Sequence, residues 1–276
     1  MKEAPRKACI ASATRAARDF VGRRFPDSVA AVLFGSAARG DLADSSDLDI
    51  LIVERKRIVP CHLHFQESDW CFDVMCRSLR FCTKRIHGTG KRWNHRDPDR
   101  ILLLALAEGI ELKDDAGAIP ELKQRASLLL AKGPVALTAQ EISDYRQLVT
   151  EALDDFVDAK SQAEAWFVAY HTVIEASHLL FGYNRQWSDG ECKWIYRRMR
   201  SNDHKLAGTL MDGLERYRQT NDRAQLVAPV ESILNLVGGR LYRDELNSNY
   251  PVTRAQQLFQ DPATFTRKAL RRVFGA

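Results

Sequence analysis

Two acids stand two apart in Ser46-Asp47-Leu48-Asp49-Ile50-Leu51-Ile52-Val53, at the mouth of an apolar run, and Gly35-Ser36 precedes them at the end of a second apolar run, Val32 to Phe34. In an extended strand, residues i and i+2 point to the same face, so Asp47 and Asp49 present two hard oxygen ligands together. Such a pair suits Mg2+, which takes one or two carboxylates and completes its octahedron with water and substrate phosphate. Gly35, lacking a Cβ, permits a sharp turn and close approach to a ligand. Ser36 adds a hydroxyl and a backbone N–H at the start of a predicted short helix, where free donors and the helix dipole favour an anion such as a triphosphate. Metal and triphosphate would meet at one place. Taken singly, a Gly-Ser turn is commonly only a turn, and an Asp-x-Asp pair a solvated strand end.

The combination Gly35, Ser36, Gly40, Asp47, Asp49, with Arg39 at a position often basic in relatives, resembles the nucleotidyltransferase superfamily typified by DNA polymerase beta and kanamycin nucleotidyltransferase. The resemblance implies a third carboxylate on a later strand. Asp73, inside Cys71-Phe-Asp-Val-Met-Cys76, meets that expectation. An acid in such a run costs burial energy unless it is paired or metal-bound. Pairing with a nearby arginine is the structural alternative. The resemblance is specific over the first 80 residues and architectural beyond them.

These residues need strands and helices to hold them. Residues 6 to 24 have helical periodicity, with Ile10, Ala13, Ala17, Phe20 and Val21 on one side, and Phe25-Pro26 ends the helix. Pro60 opens a predicted hairpin: Cys61 to Glu67, a turn at Ser68-Asp69, then Trp70 to Cys76 carrying Asp73. The sheet is expected to be mixed, with an antiparallel side. Asp99 to Leu106 reads as a helix, Gly109 to Lys113 as a short strand or turn, Pro120 to Lys132 as a helix, and Gly133-Pro134 as a domain boundary.

Beyond the boundary the pattern is helical almost throughout. Thr138-Ala-Gln-Glu141 and Ser188-Asp-Gly-Glu191 are capping boxes, Ala163 to Phe181 is apolar on most sides, and Pro229 and Asp261-Pro262 read as helix starts. The expected class is therefore α+β: an N-terminal α/β nucleotidyltransferase domain with a mixed sheet over residues 1–134, then a C-terminal all-α helical bundle on the acceptor side over 135–276. This plan also resembles the antibiotic nucleotidyltransferases, and Asn184 to Trp194 looks like a loop-to-helix element of some of their helical domains.

Composition narrows the classes. A chain of 276 residues, 45% of them hydrophobic, suffices for two cores. No apolar run approaches the ~20 residues of a membrane span, and the first thirty residues lack an apolar signal core. A soluble cytoplasmic protein is the default expectation. The six cysteines form no Cys-x-x-Cys pair and read as small buried hydrophobes, not a zinc site or disulfide framework. Residues 1–134 hold 23 basic and 18 acidic side chains, and residues 135–276 hold 18 of each, so the whole net charge of +5 lies in the half with the motif. Arg77, Arg80, Lys84, Arg85, Lys91, Arg92, Arg96 and Arg100 make a basic run against Asp97 and Asp99. It can attract phosphates or be a solvated face. His87-Gly-Thr-Gly-Lys-Arg92 is no P-loop, because its first glycine is missing and Arg92 replaces the magnesium-binding hydroxyl. His171, Glu175 and His178 recur at helical spacing without forming His-Glu-x-x-His, and hydrogen-bonded structural histidines are the simpler reading.

The expected reaction is transfer of a nucleoside monophosphate from an NTP, ATP first, to a hydroxyl, with release of pyrophosphate. Asp47, Asp49 and Asp73 are its catalytic and metal-binding acids, and Gly35, Ser36 and Arg39 hold the nucleotide. A base such as Glu151 is open. The expected acceptor is a small hydroxylated molecule, aminoglycoside-like, held between the domains by Trp166, Phe167, Tyr170, Trp187, Trp194 and bundle acids. Two alternatives stand beside it: a toxin-type enzyme acting on RNA or tRNA through the basic run, and a non-catalytic nucleotide-binding or antitoxin-like interaction protein. A third acid argues against the latter, since a binder does not need one.

Overall fold

Leu48-Asp-Ile-Leu-Ile-Val-Glu54 buries apolar side chains on both faces, which makes it the central strand of a sheet. The computed structural model describes residues 10–43, 46–56, 59–67, 69–88, 93–188, 193–202 and 204–242. The capping box reaching Glu191, the stretch Thr89 to Arg92, Cys9, Cys192 and the helix expected at Asp261-Pro262 lie outside the described residues.

In chain order the first half comprises α1 (Ile10–Arg24), β1 (Ala30–Phe34), α2 (Gly35–Arg39), β2 (Leu48–Glu54), β3 (Cys61–Glu67), β4 (Trp70–Ser78), α3 (Leu79–His87), α4 (Arg100–Glu108), β5 (Ile110–Asp114) and α5 (Ile119–Lys132). The sheet order is β3-β4-β2-β1-β5; β2 and β4 run parallel and every other pair is antiparallel. It is the mixed sheet that the sequence predicts. Period-two alternation divides β2 between two cores. Leu48, Ile50 and Ile52 pack with α1, where Phe20 stacks on Phe72 at 4.0 Å, while Leu51 and Val53 pack with Cys82 and Ile86 of α3 and with Leu102, Leu103 and Leu106 of α4. Burying a side chain such as Phe20 contributes roughly 2–3 kcal/mol. Ile10, expected on that inner side, is 42% exposed in the first turn of α1.

The second half is helical: α6 (Ala139–Asp158), α7 (Gln162–Tyr183), α8 (Lys193–Arg200), α9 (Lys205–Thr220) and α10 (Ala224–Asn235). The Thr138 capping box is present: its hydroxyl accepts from the Glu141 N–H, and Glu141 accepts from the Thr138 N–H. Helix α7 is central: its second half, from Thr172 to Gly182, is buried on nearly every side against α6, α9 and α10, while its first half buries only Ala165 and Ala169 fully.

Pro229 departs from expectation, lying inside α10, not at its start. Asp222 caps the helix instead, accepting from the Ala224 N–H at 3.0 Å. An interior proline leaves the Gln225 carbonyl without its helical donor and costs ~3 kcal/mol. Here tight packing overrides propensity: a Cβ on Gly213 of α9 would come within 2.6 Å of that carbonyl and 2.7 Å of Pro229. No described helix is long and apolar enough to cross a membrane.

Candidate active site

Two strand registers assemble the acids. In the parallel pair Asp49 stands beside Asp73, and across the antiparallel pair it stands beside Phe34, the residue before Gly35. Gly35 has φ +70°, and a Cβ there would overlap the Asp49 carboxylate at 1.9 Å. Only glycine accepts both the left-handed backbone and that approach. Ser36 begins the turn of α2; its hydroxyl has no partner among the described residues, and its carbonyl accepts from the Gly40 and Asp41 N–H groups. Asp47 is exposed just before β2.

Proximity has an electrostatic signature. The Asp49 carboxyl is pushed up to about 6 by burial first, then by Asp73 and by Asp47, against the opposing pull of Arg39 and Lys193. One inner Asp73 oxygen is buried and makes no hydrogen bond. The alternative, pairing of Asp73 with an arginine, is absent among the described residues. Its near neighbours are instead His62 and His64, whose Nδ1 atoms both lie 3.7 Å from that oxygen, too far for a hydrogen bond. His62 and His64 are not among the expected site residues, yet the hairpin implies them: a two-residue turn that sets Glu67 opposite Trp70 also sets His64 opposite Asp73.

Like-charged acids with an unsatisfied buried oxygen fit a divalent cation, which takes few carboxylates and keeps its water. No three His, Cys, Asp or Glu side chains are drawn into a closed ligand set among the described residues. His171, Glu175 and His178 do not gather: His171 is exposed, Glu175 lies 3.8 Å from Arg96, and His178 shares a 3.0 Å hydrogen bond with Ser188. Burial first, then Arg96 and His95, push the His178 imidazole down to about 3, so it stays neutral.

The helical half contributes to the site through α8. Trp194 lies beneath three cations, Arg39 at 5.1 Å, Lys193 at 5.3 Å and Arg197 at 5.0 Å, and Arg197 reaches Asp41 at 3.9 Å. Lys193 was absent from the expected site. Its signal in the sequence was Lys193-Trp194 ahead of Arg197, a cationic and aromatic cluster at helical spacing after a loop. The five aromatics expected to wall one cleft are dispersed instead. Trp166 packs on Tyr217 in the bundle core, Phe167 is 85% exposed, Tyr170 is exposed, and Trp187 meets Trp93 edge-on at 6.4 Å.

The basic run also divides. Arg85 is buried, donates to Asp97 and Asp99 at 2.5 and 2.8 Å, and stacks on Trp93 at 3.2 Å, while Arg100 is buried as well. Arg80 and Lys84 face outward at the other end of the strands, about 20 Å from the acids. They are not placed to serve the triphosphate.

Residues 15–79 match the family model for the nucleotidyltransferase domain. A crystal structure of a nucleotidyltransferase-like protein from Exiguobacterium sibiricum aligns over 83% of this chain and 75% of that one, at 13% identity and a TM-score of 0.41. No curated protein matches.

Proposed function

We propose that the protein transfers a nucleoside monophosphate from an NTP, ATP first, to an acceptor hydroxyl, releasing pyrophosphate. The observation that carries this reading is Asp49, in register with Asp73, crowded by Asp73 and Asp47 and drawn on by Arg39 and Lys193. A site that gathers acids under a cationic rim suits phosphate and cation together. A Mg2+ ion held by Asp47, Asp49 and Asp73 would neutralise charge on the phosphates as the α-phosphorus is attacked. Gly35 lets the chain come close, and the free Ser36 hydroxyl and its backbone hold the triphosphate. Arg39 and Lys193 add charge to the same side. Asp73, one strand nearer the sheet edge than Asp49, receives the proton of the attacking hydroxyl.

In this reading residues 1–134 form the catalytic unit and 135–276 the acceptor-side unit, with α8 reaching back to the nucleotide. Two bundle acids that could favour a cationic small acceptor are engaged otherwise: Glu175 lies beside Arg96, and Glu151 accepts from Gln147 at 2.6 Å. A hydroxylated acceptor of neutral or anionic character suits the rim of Arg39, Lys193 and Arg197 better.

Incubation with each labelled NTP and with pools of metabolites, antibiotics and tRNA tests the reaction; no label transfer to any pool would overturn it. Two variants test the roles. Asp73→Asn is expected to slow single-turnover transfer far more than it weakens NTP binding, and equal losses would make Asp73 a nucleotide ligand. Lys193→Met is expected to weaken NTP binding about tenfold, roughly 1.4 kcal/mol, with the fold unchanged. Unaltered affinity in a titration would remove Lys193 from the site.

A further inference from the structure

The outward part of the basic run forms a site of its own. Arg55, Leu79, Arg80, Thr83 and Lys84 line a surface pocket of about 520 Å³ beyond the ends of β2 and β4. Arg80 and Lys84 are one turn apart on α3 and share a face. Neither they nor Arg55 has an acidic partner among the described residues. The reason lies in the interior: Asp97 and Asp99, the only acids of the run, are taken by buried Arg85. Lys56 is exposed beside Arg55, and Arg77 is half-exposed at the end of β4. An arginine fork binds phosphate oxygens in pairs, and a cluster of unpaired cations around a shallow, open depression concentrates phosphate groups.

The pocket is continuous with the acids through the sheet. Asp49 shares a face of β2 with Leu51 and Val53, Asp73 shares a face of β4 with Met75 and Arg77, and α3 packs on that same face. The open edge strand β3 presents His64 opposite Asp73 and His62 opposite Met75 on this face, while Cys61, Leu63 and Phe65 turn to the other core. A strip of exposed donors thus runs from Asp73 past His64 and His62 towards Arg77 and the pocket, about 20 Å in all.

We infer that this strip and pocket hold a single-stranded nucleic-acid tail, its phosphates gripped by Arg55, Arg80 and Lys84 and its terminal 3′-hydroxyl delivered to Asp73. The inference rests on the nucleotidyl-transfer reading for the role of the tail, and on charge alone for its binding. Leu79 and Thr83 between the cations give a patch on which a base can rest beside the gripped backbone.

The test separates binding from chemistry. Fluorescence anisotropy with a short labelled single-stranded RNA, in chelator and without NTP, is expected to show binding that weakens steeply with salt. The triple variant Arg55→Ala, Arg80→Ala, Lys84→Ala should bind at least tenfold more weakly, with a salt slope shallower by about 2. NTP binding and thermal unfolding should be unchanged, since these side chains are on the surface. Removal of the exposed charges of Lys205 and Arg216 on α9 should leave RNA binding intact. A DNA strand of the same sequence and free tripolyphosphate identify which source of phosphate is preferred, and vesicles of anionic lipid test a membrane instead. Absence of RNA binding by the wild type, equal binding by the triple variant, preference for vesicles or tripolyphosphate, or a parallel loss of NTP binding would each overturn the assignment. Labelled nucleotide added to the RNA 3′ end supports tail and transfer together. Binding to the pocket without labelling of any acceptor supports the pocket and overturns the transfer reading.

Discussion

Asp49→Asn is expected to be more stable than its parent in chelator and to transfer nucleotide far more slowly. The Asp49 carboxyl titrates at about 6 instead of 3.8, because burial and two neighbouring acids disfavour its charged form. A carboxyl raised in the folded state favours the fold below its unfolded value, and that advantage is lost as pH rises through about 6. At pH 7 and above, the parent therefore carries an ionised Asp49 at a cost of roughly 3 kcal/mol. The amide removes the charge and keeps the shape. Urea unfolding of the two proteins in chelator should differ by up to about 3 kcal/mol at neutral pH and converge near pH 4. Saturating Mg2+ should stabilise the parent and have little effect on the variant, since binding to the folded state alone adds stability by mass action. Transfer should fall by on the order of 10³, the several kcal/mol that a lost metal ligand removes from phosphoryl chemistry. A variant no more stable than the parent at neutral pH would show that the acids are not crowded, and full turnover would remove Asp49 from catalysis.

Arg85→Met is expected to be the most damaging single change in the basic run, although it touches no part of the site. The side chain is 2% exposed, spans Asp97 and Asp99, and lies flat on Trp93. Removing one partner of a buried ion pair strands the other charges, and the expected loss is 3–5 kcal/mol, about the size of a marginal fold's whole reserve. Arg85→Lys should recover only part of it, because an ammonium cannot bridge two carboxylates in the fork geometry of a guanidinium or stack as a plane. Arg80→Ala and Lys84→Ala, exposed neighbours in the same helix, should stay within about 0.5 kcal/mol of the parent. Denaturant midpoints of the parent and the four variants at one pH distinguish these cases. If Arg85→Met unfolds with the exposed variants, the ion pair is not holding α3 to the loop before α4.

The same contrast shows where sequence reasoning stops. Arg80, Lys84 and Arg85 are equivalent letters in a charge run, and the phase of α3 against the sheet decides which one turns inward. That phase depends on Cys82 and Ile86 meeting Met75 and Val53, contacts made across elements. Pro229 failed for a related reason: its helical cost is local, whereas the Gly213 contact that offsets it comes from another helix. The five aromatics of the helical half were grouped by type, but packing placed Trp166 and Trp187 in different cores.

What the sequence determined by itself was whatever rests on short-range geometry. A strand has period two, so Leu48, Ile50 and Ile52 had to share one face of β2 and Leu51 and Val53 the other. A glycine followed by a short helix had to make the turn, a two-residue loop had to fold β3 against β4, and a Thr-x-x-Glu box had to open α6. Tertiary structure alone decided which distant residues meet: Asp73 beside Asp49 through a parallel pairing with a hairpin strand between, Lys193 brought from another part of the chain into the field of Asp49, and a basic pocket left uncovered once Arg85 had claimed the acids. Those meetings depend on how whole faces pack, because the free energy that selects a pairing comes from burying two faces together, and no local window of residues contains both.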